Sequence, residues 1–339
     1  MRTTARQIVF PARRAAELRQ VEALPPALGE VAGTTVTSVL SAGTEIGMQF
    51  DAPDGFPHEP GYGAVFQVDA AGEAVAGIEP GDLAFCLGKH ASRQRLPREE
   101  VVPLPEGLDP VVAVLTRMAV IGWTALSLAG FRPPARVMVT GLGAVGHFAA
   151  RFAARHGYRV LAVDPKRERR ELLRRFADVP LRDRVPSDDP EWHEQVHLCL
   201  ECSGRENALR DACRTAIRGG EVVIVGVPWV EHPEVTARSI LYTVFWRNLL
   251  LRSGYEWDLP WAPDSSVLRY PSPGVFRGVG YREHCAHIMA LLAAGDLDVD
   301  GLYRTVSPED CQSVYAEIAG GSTEPLCTVF DWRLAAAGP

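Results

Sequence analysis

The sequence predicts an α/β chain, with a doubly wound parallel sheet in its middle and a β-rich domain assembled from its two ends. Three observations carry this. An apolar strand, Arg136 to Thr140, runs straight into Gly141-Leu-Gly-Ala-Val-Gly146, and a second strand, Tyr158 to Val163, closes on the acid Asp164. Residues after about 123 alternate strand and helix patterns, whereas residues before about 121 break into short β-branched runs separated by Gly and Pro.

The glycine run is informative because of its setting, since a lone G-x-G-x-x-G is weak evidence. Gly141 and Gly143 permit a tight turn and the close approach of a pyrophosphate, Ala144 and Val145 belong to the same cofactor-binding run, and Gly146 lets a helix pack on the strand. The helix runs over 147–156 and Gly157 ends it. Its free N–H groups and dipole favour an anion. Asp164 then accepts hydrogen bonds from the adenosine ribose hydroxyls, with Lys166 or Arg167 beside the adenine. A carboxylate repels a 2′-phosphate, so NAD(H) is expected in preference to NADP(H). The basic run Lys166, Arg167, Arg169 and Arg170 is the counter-signal, and reads mainly as a solvated helix face.

The other elements follow in order. Strands are expected over Gln7–Phe10, Gly33–Leu40, Gly63–Val68, Asp82–Leu87 and Glu99–Leu104. After Asp164 come a helix Arg167–Phe176, a strand Val196–Cys202, a helix Ala208–Ile217, a strand Glu221–Val227, a helix Thr236–Phe245 and a strand Asn248–Tyr255. The aromatic, Pro-rich stretch Trp257–Gly280 is longer than most connections and reads as a functional lid. A helix Glu283–Ala294 and two short segments end in Leu326-Cys-Thr-Val-Phe-Asp-Trp332, a strand that must return to the first β domain. The expected domains are 1–122, 123–257 and, for the lid and the return, 258–339.

Composition narrows the class. A chain of 339 residues suits two domains, and 47% hydrophobic with 23% charged residues is ordinary globular usage. The net charge of −7 argues against a nucleic-acid binder. The N-terminus has no apolar core of a signal peptide and no stretch approaches a continuous apolar span, so a cytoplasmic protein without membrane partners is expected. Seven scattered cysteines read as reduced thiols. Cys199-Leu-Glu-Cys202 lies in an expected strand, where residues three apart face opposite sides, so it is not read as a redox or zinc motif.

The order of these parts resembles the medium-chain dehydrogenase/reductase superfamily. Ser41-Ala-Gly-Thr-Glu45, Pro60-Gly-Tyr-Gly-Ala-Val-Phe-Gln-Val68, Gly81-Asp82, the glycine run, Cys202-Ser203-Gly204, Gly219-Gly220 before Val222-Val-Ile-Val-Gly226, and Val329-Phe-Asp-Trp332 carry the resemblance together. The Ser-Ala-Gly-Thr-Glu form and the Asp-Trp ending are similar to a branch with sugar and polyol dehydrogenases and the bacteriochlorophyllide dehydrogenase. The resemblance implies a GroES-like β-barrel catalytic domain beside a Rossmann NAD-binding domain, and adds Cys202, Ser203, Gly226 and Val227 to the cofactor-binding residues. It also implies a homodimer through 248–255, where a run of Leu would otherwise lie on an open sheet edge.

Where zinc members of that superfamily carry ligands, this chain has Ala42, Tyr62 (with Gly63 next to it) and, across a gap, Arg117, and the four-cysteine structural lobe is missing. Zinc wants thiolate, imidazole or carboxylate, so no metal is expected. In its place Tyr62 reads as a proton donor, Arg117 as a fixed positive charge near a developing alkoxide, and Thr44 as the hydroxyl relaying a proton through the nicotinamide ribose, with Glu45 and His90 extending that relay. Bland readings stand beside these: Tyr62 filling the vacated cavity, Arg117 paired with an acid, His90 on the surface. The expected function is NAD(H)-dependent alcohol/ketone oxidoreduction of a polar, sugar- or cyclitol-like small molecule. Reduction of an activated C=C bond and a non-catalytic dinucleotide-binding role stay open.

Overall fold

The computed structural model describes residues 3–228, 230–255, 280–322 and 325–335. Contacts divide these into two compact units, residues 3–117 with 280–335, and residues 118–255. The first unit begins with β1 (Thr3–Ala12), β2 (Ala15–Ala23), β3 (Glu30–Leu40), a π-helical segment Ala42–Phe50, β4 (Ala64–Ala71), β5 (Leu83–Cys86), β6 (Arg93–Pro97), β7 (Val101–Pro103) and α1 (Pro110–Ala113). The division falls inside α2 (Thr116–Ser127). The second unit then has β8 (Arg136–Thr140), α3 (Ala144–Arg155), β9 (Arg159–Val163), α4 (Arg167–Arg174), β10 (Leu181–Arg182), β11 (Val196–Glu201), α5 (Glu206–Thr215), β12 (Ala216–Ile224), α6 (Ala237–Arg247) and β13 (Leu250–Ser253). The chain returns to the first unit with α7 (Tyr281–Ala293), β14 (Tyr303–Val306), α8 (Cys311–Ala319) and β15 (Cys327–Asp331).

β3 organises the first unit. One edge pairs antiparallel with β4, and the other is shared, Glu30–Thr34 by β6 and Thr37–Leu40 by β15. The closing strand therefore does return to the N-terminal sheet. Gly33 sits at a register shift of β3, where a Cβ would lie 2.0 Å from the Gln67 carbonyl oxygen. An aromatic core of Phe10, Phe50, Tyr315, Phe330 and Trp332 packs beneath this sheet; Phe10 meets Tyr315 edge-to-face with centroids 4.7 Å apart.

The second unit is a six-stranded parallel sheet in the order β10-β9-β8-β11-β12-β13. Its inner strands are apolar without alternation because both faces are covered; Val137 to Val139 and Leu198 to Leu200 are fully buried. This is the doubly wound order, with the crevice outside the carboxyl ends of β8 and β11.

Several elements differ from the sequence reading. β2 and β6 are charged, half-exposed strands, and β10 has two residues, so none carries a clean alternation. Ile217 opens β12 with Ala216 instead of ending the preceding helix. Asn248, expected to start a strand, instead caps α6 in the left-handed conformation (φ 52°), and β13 begins at Leu250. The lid Trp257–Gly280 lies outside the described residues except for Gly280, which caps α7. The stretch Pro110–Ser127 is long and apolar enough by composition to cross a membrane, and is mostly buried.

Candidate functional site

In the first unit the chain leaves β3 at Ser41 and winds into the π-helical segment, a geometry concentrated at functional sites, which carries Thr44 and Glu45. Glu45 is fully buried. Its Oε1 accepts from the Ser41 backbone N–H at 2.9 Å, and its Oε2 lies 3.1 Å from His90 Nε2 and accepts from the Tyr315 hydroxyl. His90 Nδ1 is 2.8 Å from Ser38 Oγ, which also accepts from Trp332 Nε1 at 3.0 Å. A carboxylate only accepts, so this network assigns the imidazole proton to Nε2 and lets Ser38 donate to Nδ1. Burial, and then the Glu45 carboxylate, push the Tyr315 phenol well above its ordinary value, which keeps it a donor.

The Tyr62 hydroxyl donates to Ser41 Oγ, beside this network. Glu45, held by His90 and Tyr315, fixes Ser41 at the start of the turn that carries Thr44. His90 is fully buried, which corrects the surface reading of it. Thr44 is half-buried in the π-helical turn.

Arg117 and Tyr62 are brought together. The Arg117 guanidinium carbon stands 4.1 Å from the centre of the Tyr62 ring, and Nη1 donates to Tyr281 Oη at 2.9 Å. Arg117 and Tyr281 are 2% and 1% exposed. The arrangement needs Gly63, because a Cβ there would lie 2.7 Å from Arg117 Cγ. Ala42 offers no ligand atom and a guanidinium has no lone pair, so Ala42, Tyr62 and Arg117 do not fit Zn²⁺. Among the described residues no group of three or more His, Cys, Asp or Glu comes together around a metal position. The Cys199 and Cys202 thiols are pushed well above their ordinary values by burial and by Glu201, so neither is a ready thiolate.

In the second unit β8 passes through Gly141 (φ 80°) to Gly143, the N-cap of α3, with Ala144 and Val145 as its first residues. A Cβ on Gly146 would lie 1.8 Å from the Gly141 carbonyl oxygen, so this helix can approach the strand only with glycine there. The cradle fits a pyrophosphate: the first N–H groups of α3 have no acceptor within the helix, and Gly141 and Gly143 put no side chain in the way of an anion. Asp164, 1% exposed, holds the turn itself, its Oδ2 accepting from Leu142 N–H at 2.7 Å and its Oδ1 from Lys166 N–H at 2.8 Å. The basic run is only partly a solvated face. Arg169 Nη1 turns back to Asp164 Oδ2 at 3.3 Å, and Arg170 Nη1 donates to the Asp164 and Pro165 carbonyls. Cys202 and Ser203 lie in the turn after β11; Gly226 packs on that turn, and Val227 is 46% exposed.

Sequence reasoning missed Ser41, Tyr281 and Tyr315. Ser41 lay inside a motif already in view; the two tyrosines arrive from helices far along the chain and carry no local signal.

Residues 144–253 match the family model described as zinc-binding dehydrogenase. The chain is 31% identical over 151 residues to an alcohol dehydrogenase of Geobacillus stearothermophilus, covering 43% of this chain and 44% of that protein. The match thus spans about half the length of this curated relative. Among solved structures, galactitol-1-phosphate dehydrogenase from Escherichia coli superimposes with a TM-score of 0.76 at 18% identity over 96% of this chain and 99% of that one. Acetophenone reductase from Geotrichum candidum NBRC 4597, solved in complex with NAD, gives 0.77 at 15% identity over 97% of each chain. Residues 144–253 are thus similar to zinc-binding dehydrogenases, and the chain along its length has the fold of the two solved oxidoreductases.

Proposed function

We propose that the protein is a zinc-independent, NAD(H)-dependent oxidoreductase that interconverts an alcohol and a ketone or aldehyde on a polar small molecule. The observation that supports this is the Tyr62–Arg117 pair, with Tyr62 anchored on Ser41, since by resemblance these residues stand where zinc members carry ligands. The nicotinamide, when bound, accepts or supplies the hydride. Tyr62 takes or returns the hydroxyl proton, and Arg117 stabilises the negative charge that develops as it does so. Thr44 offers a second hydroxyl from the same turn. The alcohol dehydrogenase and galactitol-1-phosphate dehydrogenase likenesses support carbinol chemistry. A panel of sugars, cyclitols and simple ketones, followed by nicotinamide absorbance, tests the reading. Turnover should survive EDTA, and elemental analysis should find no stoichiometric zinc. One zinc per chain, or a product that has lost a C=C bond in place of a C=O, overturns it.

For the cofactor, Asp164 supports NAD(H), since its Oδ1 keeps acceptor capacity beside the N-terminus of α4. Arg169 offsets part of its repulsion of a 2′-phosphate, so the preference is expected to be modest. Titrating NADH and NADPH against the same protein decides it, and tighter NADPH binding overturns the preference.

Two copies are expected to pair through β13. Among the described residues β12 is its one partner, leaving an open edge. α6 beside it has no buried residue and exposes Leu241, Tyr242, Phe245 and Trp246 by 59%, 60%, 75% and 59%. An antiparallel β13 pair would bring two α6 helices together on one sheet face and cover these side chains. Light scattering at micromolar concentration should give a dimer mass; a monomer contradicts this.

A further inference from the structure

Glu201 closes β11, and it ties together the ends of three strands. Its carboxylate, 1% exposed, accepts from Thr140 Oγ1 at the end of β8 (3.1 Å), from the Ser203 N–H (2.8 Å) and hydroxyl, and from the Gly204 N–H (3.3 Å). Its backbone carbonyl accepts from the Val225 and Gly226 N–H groups just beyond β12, at 2.8 and 2.7 Å. The turn held this way lies against the glycine run: a Cβ on Gly141 would meet Ser203 Cα at 2.6 Å, one on Gly146 would meet Cys202 Cβ at 3.1 Å, and one on Gly226 would meet Gly204 N at 2.6 Å. Backbone touches backbone at Gly141 and Gly226, so the position of 202–204 sets the position of Gly141.

We propose that Glu201 is a positioning residue for dinucleotide binding: its carboxylate fixes the 202–204 turn and, through it, the glycine turn that receives the pyrophosphate. The inference rests on the dinucleotide reading above. Each carboxylate oxygen accepts from a backbone N–H, Ser203 on Oε1 and Gly204 on Oε2, which suits an acceptor-only carboxylate and not an amide, whose NH2 would face one of them. Burial pushes this carboxyl up from its ordinary value while the four donors pull against it, and Cys199 and Cys202, the titratable groups beside it, stay protonated.

The test is calorimetric titration of NAD⁺ and of ADP-ribose, which carries the pyrophosphate without nicotinamide, into wild type, E201Q, T140V and the double variant, with the apo-protein melting temperature of each. E201Q should weaken both ligands by about tenfold or more, the scale of a lost charge-assisted hydrogen-bond set. T140V, which keeps side-chain volume, should weaken both by a smaller factor, and the double variant should lose less than the product of the two, because Thr140 acts through Glu201. That coupling in affinity, measured well below every melting temperature, is not produced by general destabilisation. Binding by E201Q within about twofold of wild type, or independent effects of the two changes, overturns the role of Glu201. If E201Q does not fold, T140V alone decides, and wild-type affinity there overturns it. Wild type that binds neither ligand overturns the dinucleotide reading itself and the inference with it.

Discussion

Tyr62→Phe is expected to lower turnover by roughly 10²-fold or more, the scale of a lost general acid, while NAD(H) affinity stays nearly unchanged. The substitution removes one hydroxyl and little volume. A phenylalanine keeps the ring on which Arg117 stacks at 4.1 Å, so the buried guanidinium retains its support and the fold should stand. What is lost is the proton and the bond to Ser41 Oγ. Arg117→Lys separates the other half of the pair: it keeps a charge but loses the planar group that lies on the ring and reaches Tyr281, so it should also impair turnover. Steady-state kinetics on the best substrate of the panel, with cofactor dissociation constants beside them, checks both. A Tyr62→Phe enzyme with wild-type turnover would return Tyr62 to the role of cavity filler, and Thr44 or water would have to carry the proton.

How much of this was legible in the sequence depended on distance along the chain. The parallel sheet and its glycine turn were readable because strand, turn, helix, strand and acid fall within residues 136–164, and each obeys a local rule. Asp164 was found the same way, but its partners were not: Leu142 and Arg169 reach it through the fold. Tyr62 and Arg117 were singled out by what they replace, and their stacking depends on Gly63, whose missing Cβ admits the arginine stem. Glu45 and His90 were read as a relay because both can carry protons. What no side-chain pattern encodes is that Glu45 accepts from the Ser41 backbone N–H while it meets both His90 and Tyr315. Glu201 carries no local signal of its role, and only the four donors converging on it mark it out.

Lowering the pH from 7 to 5 is expected to cost about 2 kcal/mol of stability through His147 alone. His147 follows Gly146 in the first turns of α3, fully buried, its ring meeting Phe176 edge-to-face at 5.4 Å. Neither ring nitrogen has a hydrogen-bond partner among the described residues. Burial, and then the positive charge of Arg151, push its pKa down to about 3, and the positive end of the helix dipole disfavours the imidazolium in the same sense. In the unfolded chain the imidazole titrates near 6.5, so as pH falls below that value the unfolded state takes up a proton that the folded state refuses. Stability is therefore full above about 6.5 and falls steadily toward about 3, where the folded group titrates. His284, brought to about 4 by burial and by His287, adds a second loss over the same range. His147→Leu, similar in volume and unable to titrate, should remove its share of the slope, and should also stabilise the protein at pH 7 by relieving two unpaired polar atoms. Urea unfolding of wild type and His147→Leu at pH 7 and pH 5 measures both effects; equal losses in the two proteins on acidification would show that the imidazole is hydrated or paired in the native state.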